Sequence, residues 1–99
     1  ERLIRKGDQA DSMYFIVSGE VEVDLERGAP SGRLGAGDFF GEIALIAERT
    51  RTASINALTH CKLLVLHKDD FESFMDAHPE LKASVQAAAR KRLQELTGG

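Results

Sequence analysis

Glu20-Val21-Glu22-Val23-Asp24-Leu25-Glu26 alternates acid and aliphatic at every position. Successive side chains of an extended strand point to opposite faces, so Val21, Val23 and Leu25 share one side and the acids the other. This is the pattern of a half-buried strand. Just upstream, Met13-Tyr14-Phe15-Ile16-Val17 is a short run of aromatic and β-branched residues, and Ser18-Gly19 between the two runs predicts a hairpin. Downstream, Arg27-Gly28-Ala29-Pro30-Ser31-Gly32 has loop composition, Arg33-Leu34 reads as a short strand, and Gly35-Ala36-Gly37-Asp38 as another turn. Ala53–Leu58 and Cys61–His67 give two further strands, the second a nearly continuous apolar run that suits burial on both faces. Between them, Phe39–Ile46 stays apolar for only about two helical turns, too short for an independent helix.

Helical spacing takes over at Asp69. Asp69 and Glu72 form a capping-box-like start, and Phe71, Phe74 and Met75 make an i, i+3, i+4 face. Pro79 closes that helix and opens another, whose apolar stripe runs through Leu81, Val85, Ala88 and Leu96 until Gly98-Gly99 stop it. The predicted fold is therefore mainly β with C-terminal helices: an antiparallel β-roll, jelly-roll-like, over about 1–67, with helices over about 69–97 packed at its end or side.

A chain of 99 residues is one domain's worth. Its 13 basic and 16 acidic residues leave no positive excess to draw it onto nucleic acid or anionic lipid. No apolar stretch approaches the ~18 residues that cross a bilayer, so direct membrane insertion is not expected. The single cysteine, Cys61, excludes an internal disulfide and fits a reducing, cytoplasmic setting. The opening Glu1-Arg2-Leu3-Ile4 carries neither an initiator Met nor a signal peptide and reads as an internal start, N-terminally truncated.

The densest chemical pattern is Gly41-Glu42-Ile43-Ala44-Leu45 followed by Arg51-Thr52-Ala53. A glycine leading into a short helix lets backbone approach a ligand, and the free N–H groups of a first helical turn suit an anion such as phosphate. Ala44 keeps that approach open, and Arg51 supplies a planar, permanently charged donor to the same anion. Glu42 would repel a phosphate, so it should face another part of the ligand, such as a sugar hydroxyl whose proton it accepts. On spacing alone a plainer arrangement stays open, in which Glu42 caps its helix, Arg51 pairs with Glu48 or Glu42, and Gly41 only makes a turn. In the last helix, Arg92 falls in the middle of the apolar stripe at about 100° per residue. Either it has a task there or it snorkels to water from the final turn.

Other residues point elsewhere. His60, His67 and His78 show no metal-ligand spacing, and Asp69, Asp70, Glu72 and Asp76 do not follow a calcium loop, so no metal is expected. Cys61 reads as a small core residue. No nucleophile motif of the Gly-x-Ser-x-Gly type occurs, so no catalytic residues are assigned.

Phe40-Gly41-Glu42-Ile43-Ala44-Leu45 with Arg51-Thr52-Ala53 resembles the phosphate-binding cassette of the cyclic nucleotide-binding domains of the catabolite-activator type. The upstream Gly7-Asp8, Ala10-Asp11, Met13-Tyr14-Phe15-Ile16, Gly19 and Gly37 fit the same family, and the likeness spans residue 1 to about 93. It is most like the domains of bacterial cyclic-nucleotide-gated potassium channels. The resemblance implies a β-roll in which the amides of Gly41, Glu42, Ile43 and Ala44 hold the cyclic phosphate, with Arg51 on its exocyclic oxygens and Glu42 on the ribose 2′-hydroxyl. It makes Val23 an apolar wall for the base and Arg92 a lid residue on the C-terminal helix. Thr52 stands where cyclic-AMP and cyclic-GMP binders differ and leaves the purine open, cyclic AMP being favoured. Thr50 replaces a proline common before the arginine, which would loosen the loop.

The implied function is a non-enzymatic regulatory module with no cofactor. Its partners are the cyclic nucleotide and an effector domain of the parent protein, whether channel, kinase or transporter. It would act in the cytoplasm as a signal-transducing, ligand-gated unit, with no nucleic acid partner. The helix that commonly precedes the roll in this family is absent from the chain. Two alternatives differ in class. A cupin-like metalloenzyme on a similar roll needs clustered inward histidines, and an interaction domain that no longer binds nucleotide usually lacks the cassette's arginine or glutamate.

Overall fold

The computed structural model describes residues 1–25, 32–47 and 49–97. Glu26, most of the loop at 27–32, Glu48, the side chains of Glu95, Leu96 and Thr97 and the glycines at 98–99 lie outside them. The chain forms β1 (Arg2–Ile4), β2 (Ser12–Ser18), β3 (Val21–Asp24), β4 (Gly32–Leu34), β5 (Phe39–Phe40), α1 (Glu42–Ile46), β6 (Ser54–Ala57), β7 (Lys62–His67), α2 (Lys68–Ala77) and α3 (Pro79–Thr97). One sheet has the order β1-β6-β3-β4 and the other β5-β2-β7, every pairing antiparallel. Together with the C-terminal helices this is the expected β-roll.

The hairpin expected at Ser18-Gly19 does not form. β2 pairs with β5 and β7, whereas β3 pairs with β4 and β6, so the chain changes sheets at Gly19. The reason is local: Gly19 sits at φ 97°, and a Cβ there would lie 2.4 Å from the His60 carbonyl oxygen and 2.8 Å from Cys61 Sγ. Gly19 thus lets one corner of the roll pass directly against the other, where β6 crosses to β7.

Burial on both faces belongs to β2, not to β7. β2 is the middle strand of its sheet, with Ile16 packed toward the other sheet and Met13 toward the helices. β7 is the last strand of that sheet among the described residues, and its Leu64 and Val65 are 59% and 62% exposed. Apolar composition alone cannot distinguish a central strand from a terminal one.

Two cores result. Ile4, Ile16, Val21, Phe40 and Ile55 pack between the sheets, with Cys61 half-buried against them. Met13, Met75 and Val85 pack between β2 and the helices, joined by Phe15, Phe71, Phe74 and Leu81. The expected face of α2 is therefore realised, as is the Leu81 and Val85 part of the α3 stripe, whereas Ala88 lines a cavity and the Leu96 side chain lies outside the described residues. The capping box is not: α2 starts one residue earlier, its N-cap is His67, whose ring accepts the Asp69 amide at 3.4 Å, and Asp69 lies inside the first turn.

Gly19→Ala should unfold at markedly lower denaturant than Gly7→Ala. Both positions have positive φ, which disfavours alanine on the order of 1 kcal/mol, but nothing lies within 4 Å of a Cβ at Gly7. Equal losses in urea titrations would contradict the close corner packing.

Candidate functional site

Arg51 lies three residues before β6, in the connecting loop rather than on the strand, and is only 6% exposed. Its Nη1 donates to the Gly41 carbonyl at 3.0 Å and its Nη2 to the Ser12 carbonyl at 2.8 Å. The main chain is fixed as well: the Arg51 amide donates to the Asp8 carbonyl and the Gly7 amide to the Arg51 carbonyl, both at 2.9 Å. A guanidinium has five N–H groups, so two carbonyls do not exhaust it. Among the described residues no carboxylate lies within ion-pair distance of Arg51. Burial lowers its pKa from the ordinary arginine value, opposed by Tyr14, Asp11, Asp8 and Glu42.

Gly41 turns the chain from β5 into α1 at φ 88°, and a Cβ there would lie 2.7 Å from Arg51 Nη1. Glycine is required twice, by the left-handed backbone and by the guanidinium. Among the described residues no side chain caps α1, which leaves its first amides without a side-chain acceptor there. Glu42, Ile43 and Ala44 are buried in this turn.

Glu42 is 1% exposed and does not pair with Arg51. Its Oε1 accepts from Arg92 Nη1 at 2.6 Å, while its Oε2 is buried with no hydrogen-bond partner among the described residues. Arg92 also stacks over Phe39, with Cζ 5.2 Å from the ring centroid. It is not in the final turn, since α3 continues to Thr97, and it does not snorkel to water. Of the plainer arrangement, pairing of Arg51 with Glu42 is thus replaced by Glu42–Arg92, and Glu48 lies outside the described residues.

These groups meet in one cavity of about 400 Å³, within the range of small-molecule sites. Gly41, Glu42, Ile43, Ala44, Arg51, Thr52, Val23 and Arg92, all singled out from the sequence, line it together. Sequence reasoning missed Arg33 and Lys91, which also line it, and the Ser12 carbonyl that anchors Arg51. Lys91 had a legible signal, as the neighbour of Arg92. Nothing in the sequence pairs Ser12 with Arg51. The described lining carries four cations, Arg33, Arg51, Lys91 and Arg92, against the one carboxylate of Glu42, in a chain of net charge −3. Positive charge is concentrated where an anion would enter. Among the described residues no group of three or more His, Cys, Asp or Glu side chains gathers as a metal would require, and no helix is long and apolar enough to cross a membrane.

The family description "cyclic nucleotide-binding domain" matches residues 1–78, the roll together with the cavity's cassette and α2. The chain belongs to the cyclic nucleotide-binding domain family. It is 37% identical over 94 residues to the mouse potassium/sodium hyperpolarization-activated cyclic nucleotide-gated channel 3, covering 95% of this chain and 12% of the channel. Among solved structures it is similar to the Thermus thermophilus catabolite activator protein, with TM-score 0.81 and 28% identity over 96% of this chain and 46% of that one. It is also similar to the cAMP-bound form of the EAL enzyme Bd1971, with TM-score 0.75 and 28% identity over 99% of this chain and 27% of that one. The chain thus spans about an eighth of the channel it matches.

Gly41→Ala should displace the Arg51 head group and destabilise the fold by at least about 1 kcal/mol. Denaturant unfolding reads the loss; a variant structure with Arg51 still on the Gly41 carbonyl would contradict the close approach.

Proposed function

We propose that this domain binds a cyclic nucleotide in the 400 Å³ cavity and reports its presence through α3. The observation that carries the reading is a complementary pair of unmet demands in one cavity. Among the described residues Arg51 is a buried cation with no carboxylate partner, and Glu42 Oε2 is a buried acceptor with no donor. A ligand with an anionic phosphate and a neighbouring hydroxyl satisfies both. The cyclic phosphate sits against Arg51 and the amides of Gly41, Glu42, Ile43 and Ala44. Its negative charge is met by a planar donor and by the first turn of α1. The ribose 2′-hydroxyl donates to Glu42, and Val23 offers the base an apolar wall.

Several features support the assignment of these roles. Val23 and Thr52 line the cavity, and Thr52 can place a hydroxyl near the purine. Similar solved structures include the cAMP-bound form of Bd1971 and a protein of a cyclic-GMP-dependent signalling pathway, so both purines are candidates, and cyclic AMP is the ligand we favour. Ala88, Lys91 and Arg92 bring α3 into the cavity wall, so ligand binding and α3 position are linked wherever the two states differ in affinity. No bond is broken in this scheme, and the domain acts as a regulatory module rather than an enzyme. The similarity to cyclic nucleotide-gated channels makes a channel the favoured effector and the cytosol the favoured location.

Isothermal calorimetry with cyclic AMP, cyclic GMP and linear AMP tests this reading. Saturable binding of a cyclic nucleotide, with AMP much weaker, is expected. Arg51→Ala should weaken that binding by about 2–5 kcal/mol, because a buried phosphate loses its charged partner. Unchanged affinity in a folded Arg51→Ala protein would remove the phosphate from this cavity.

A further inference from the structure

The guanidinium of Arg51 is held by more than its two carbonyl bonds. Nη1 on Gly41 and Nη2 on Ser12 fix where the head group lies, but two hydrogen bonds leave it free to tilt about the line joining them. The Tyr14 ring supplies a third constraint. Arg51 Cζ lies 5.9 Å from the centroid of that ring, within the ~6 Å reach of a cation over an aromatic face. The same ring stacks on Phe40, directly before Gly41, with centroids 5.1 Å apart and planes 24° from parallel. One side chain thus bears both on the head group and on the turn that the head group bonds.

Tyr14 is itself fixed from behind. Ser12 Oγ lies 2.9 Å from Asp11 Oδ1 and 3.1 Å from the Tyr14 hydroxyl. An ionised carboxylate only accepts, so Ser12 gives its single proton to Asp11 and takes one from Tyr14. Hydrogen bonds in a chain polarise one another, and a phenol that donates into a chain ending on a carboxylate presents a more electron-rich face to a cation. Ser12 is buried and Asp11 exposed, so the chain runs from the surface to the underside of the site. Tyr14, Ser12 and Asp11 are not among the described residues that line the cavity. Whatever they do for a ligand passes through Arg51.

We infer that Tyr14 is a positioning residue for the anion: held by Phe40 and by the Ser12–Asp11 chain, its ring stops the Arg51 guanidinium from tilting and so aims the unused N–H groups at the phosphate. This rests on the cyclic nucleotide reading of the cavity. Of five guanidinium N–H groups, two are spent on carbonyls, and the remainder serve an anion only while the plane holds still, because a hydrogen bond weakens steeply as it bends. Tyr14 therefore contributes to affinity without touching the ligand.

Calorimetry with cyclic AMP on wild type, Tyr14→Phe, Tyr14→Leu, Arg51→Lys and the two double variants tests this, together with the NMR order parameter of the Arg51 Nε–H bond in the ligand-free proteins. Tyr14→Leu, which removes the ring face, should weaken binding about tenfold, and Tyr14→Phe, which removes only the chain's hydroxyl, about threefold. Arg51→Lys keeps the charge but has no plane to hold, so in that background both losses should shrink to about twofold or less. Without ligand, the Arg51 order parameter should fall in Tyr14→Leu. Should Tyr14→Leu fail to fold, Tyr14→Phe carries the same comparison across the two backgrounds. Equal losses beside arginine and beside lysine would make Tyr14 a packing residue only and overturn the inference. An unchanged Arg51 order parameter in Tyr14→Leu would do so whether or not a nucleotide binds, and would leave the reading of the cavity standing. A wild type that binds no cyclic nucleotide would instead overturn that reading and this inference with it.

Discussion

The buried guanidinium of Arg51 joins three parts of the chain that are far apart in sequence. Its side chain bonds the carbonyls of Ser12, where β2 begins, and Gly41, where α1 is about to start. Its main chain exchanges hydrogen bonds with the turn at Gly7 and Asp8. Hydrogen bonds from a charged donor in a water-poor setting are stronger than neutral ones, and removing the donor would strand two carbonyls. The same residue that we propose for the anion therefore also closes the roll around the cavity. This explains why Gly41 must lack a side chain: the guanidinium occupies the space a Cβ would take.

The second constraint is the carboxylate beside it. Burying Glu42 at 1% exposure is unfavourable unless its charge is met, and Arg92 meets it from a helix 50 residues further along the chain. Two buried charges, each compensated differently, divide the cavity into a positive end at Arg51 and an acceptor at Glu42. A small ligand with a phosphate and a sugar hydroxyl in fixed relative positions fits that division, whereas a simple inorganic anion uses only half of it.

Much of this was legible in the residues. The alternation at 20–26 marks β3, the helical spacing at Phe71, Phe74 and Met75 marks α2's inner face, and the glycine-acid-arginine spacing marks the cavity. What was not legible depends on topology. The Ser18-Gly19 step looks like a hairpin because a local pattern cannot say which sheet the next strand joins, and only the pressure of His60 and Cys61 against Gly19 reveals the crossing. β7 and β2 have similar apolar runs, yet one is terminal and one central in the sheet. Arg92 was visible as a charge in an apolar stripe, but its partner lies on another element, and no periodicity within α3 could identify it. The cap of α2 was misread for a related reason: a histidine ring took the position that an aspartate pattern suggested.

A crystal structure of the domain with cyclic AMP tests the central claim most directly. The account predicts the cyclic phosphate within hydrogen-bond distance of Arg51 and the amides at the start of α1, with the ribose 2′-hydroxyl on Glu42 Oε2. A nucleotide bound outside this cavity, or inside it with the phosphate turned away from Arg51, would contradict it.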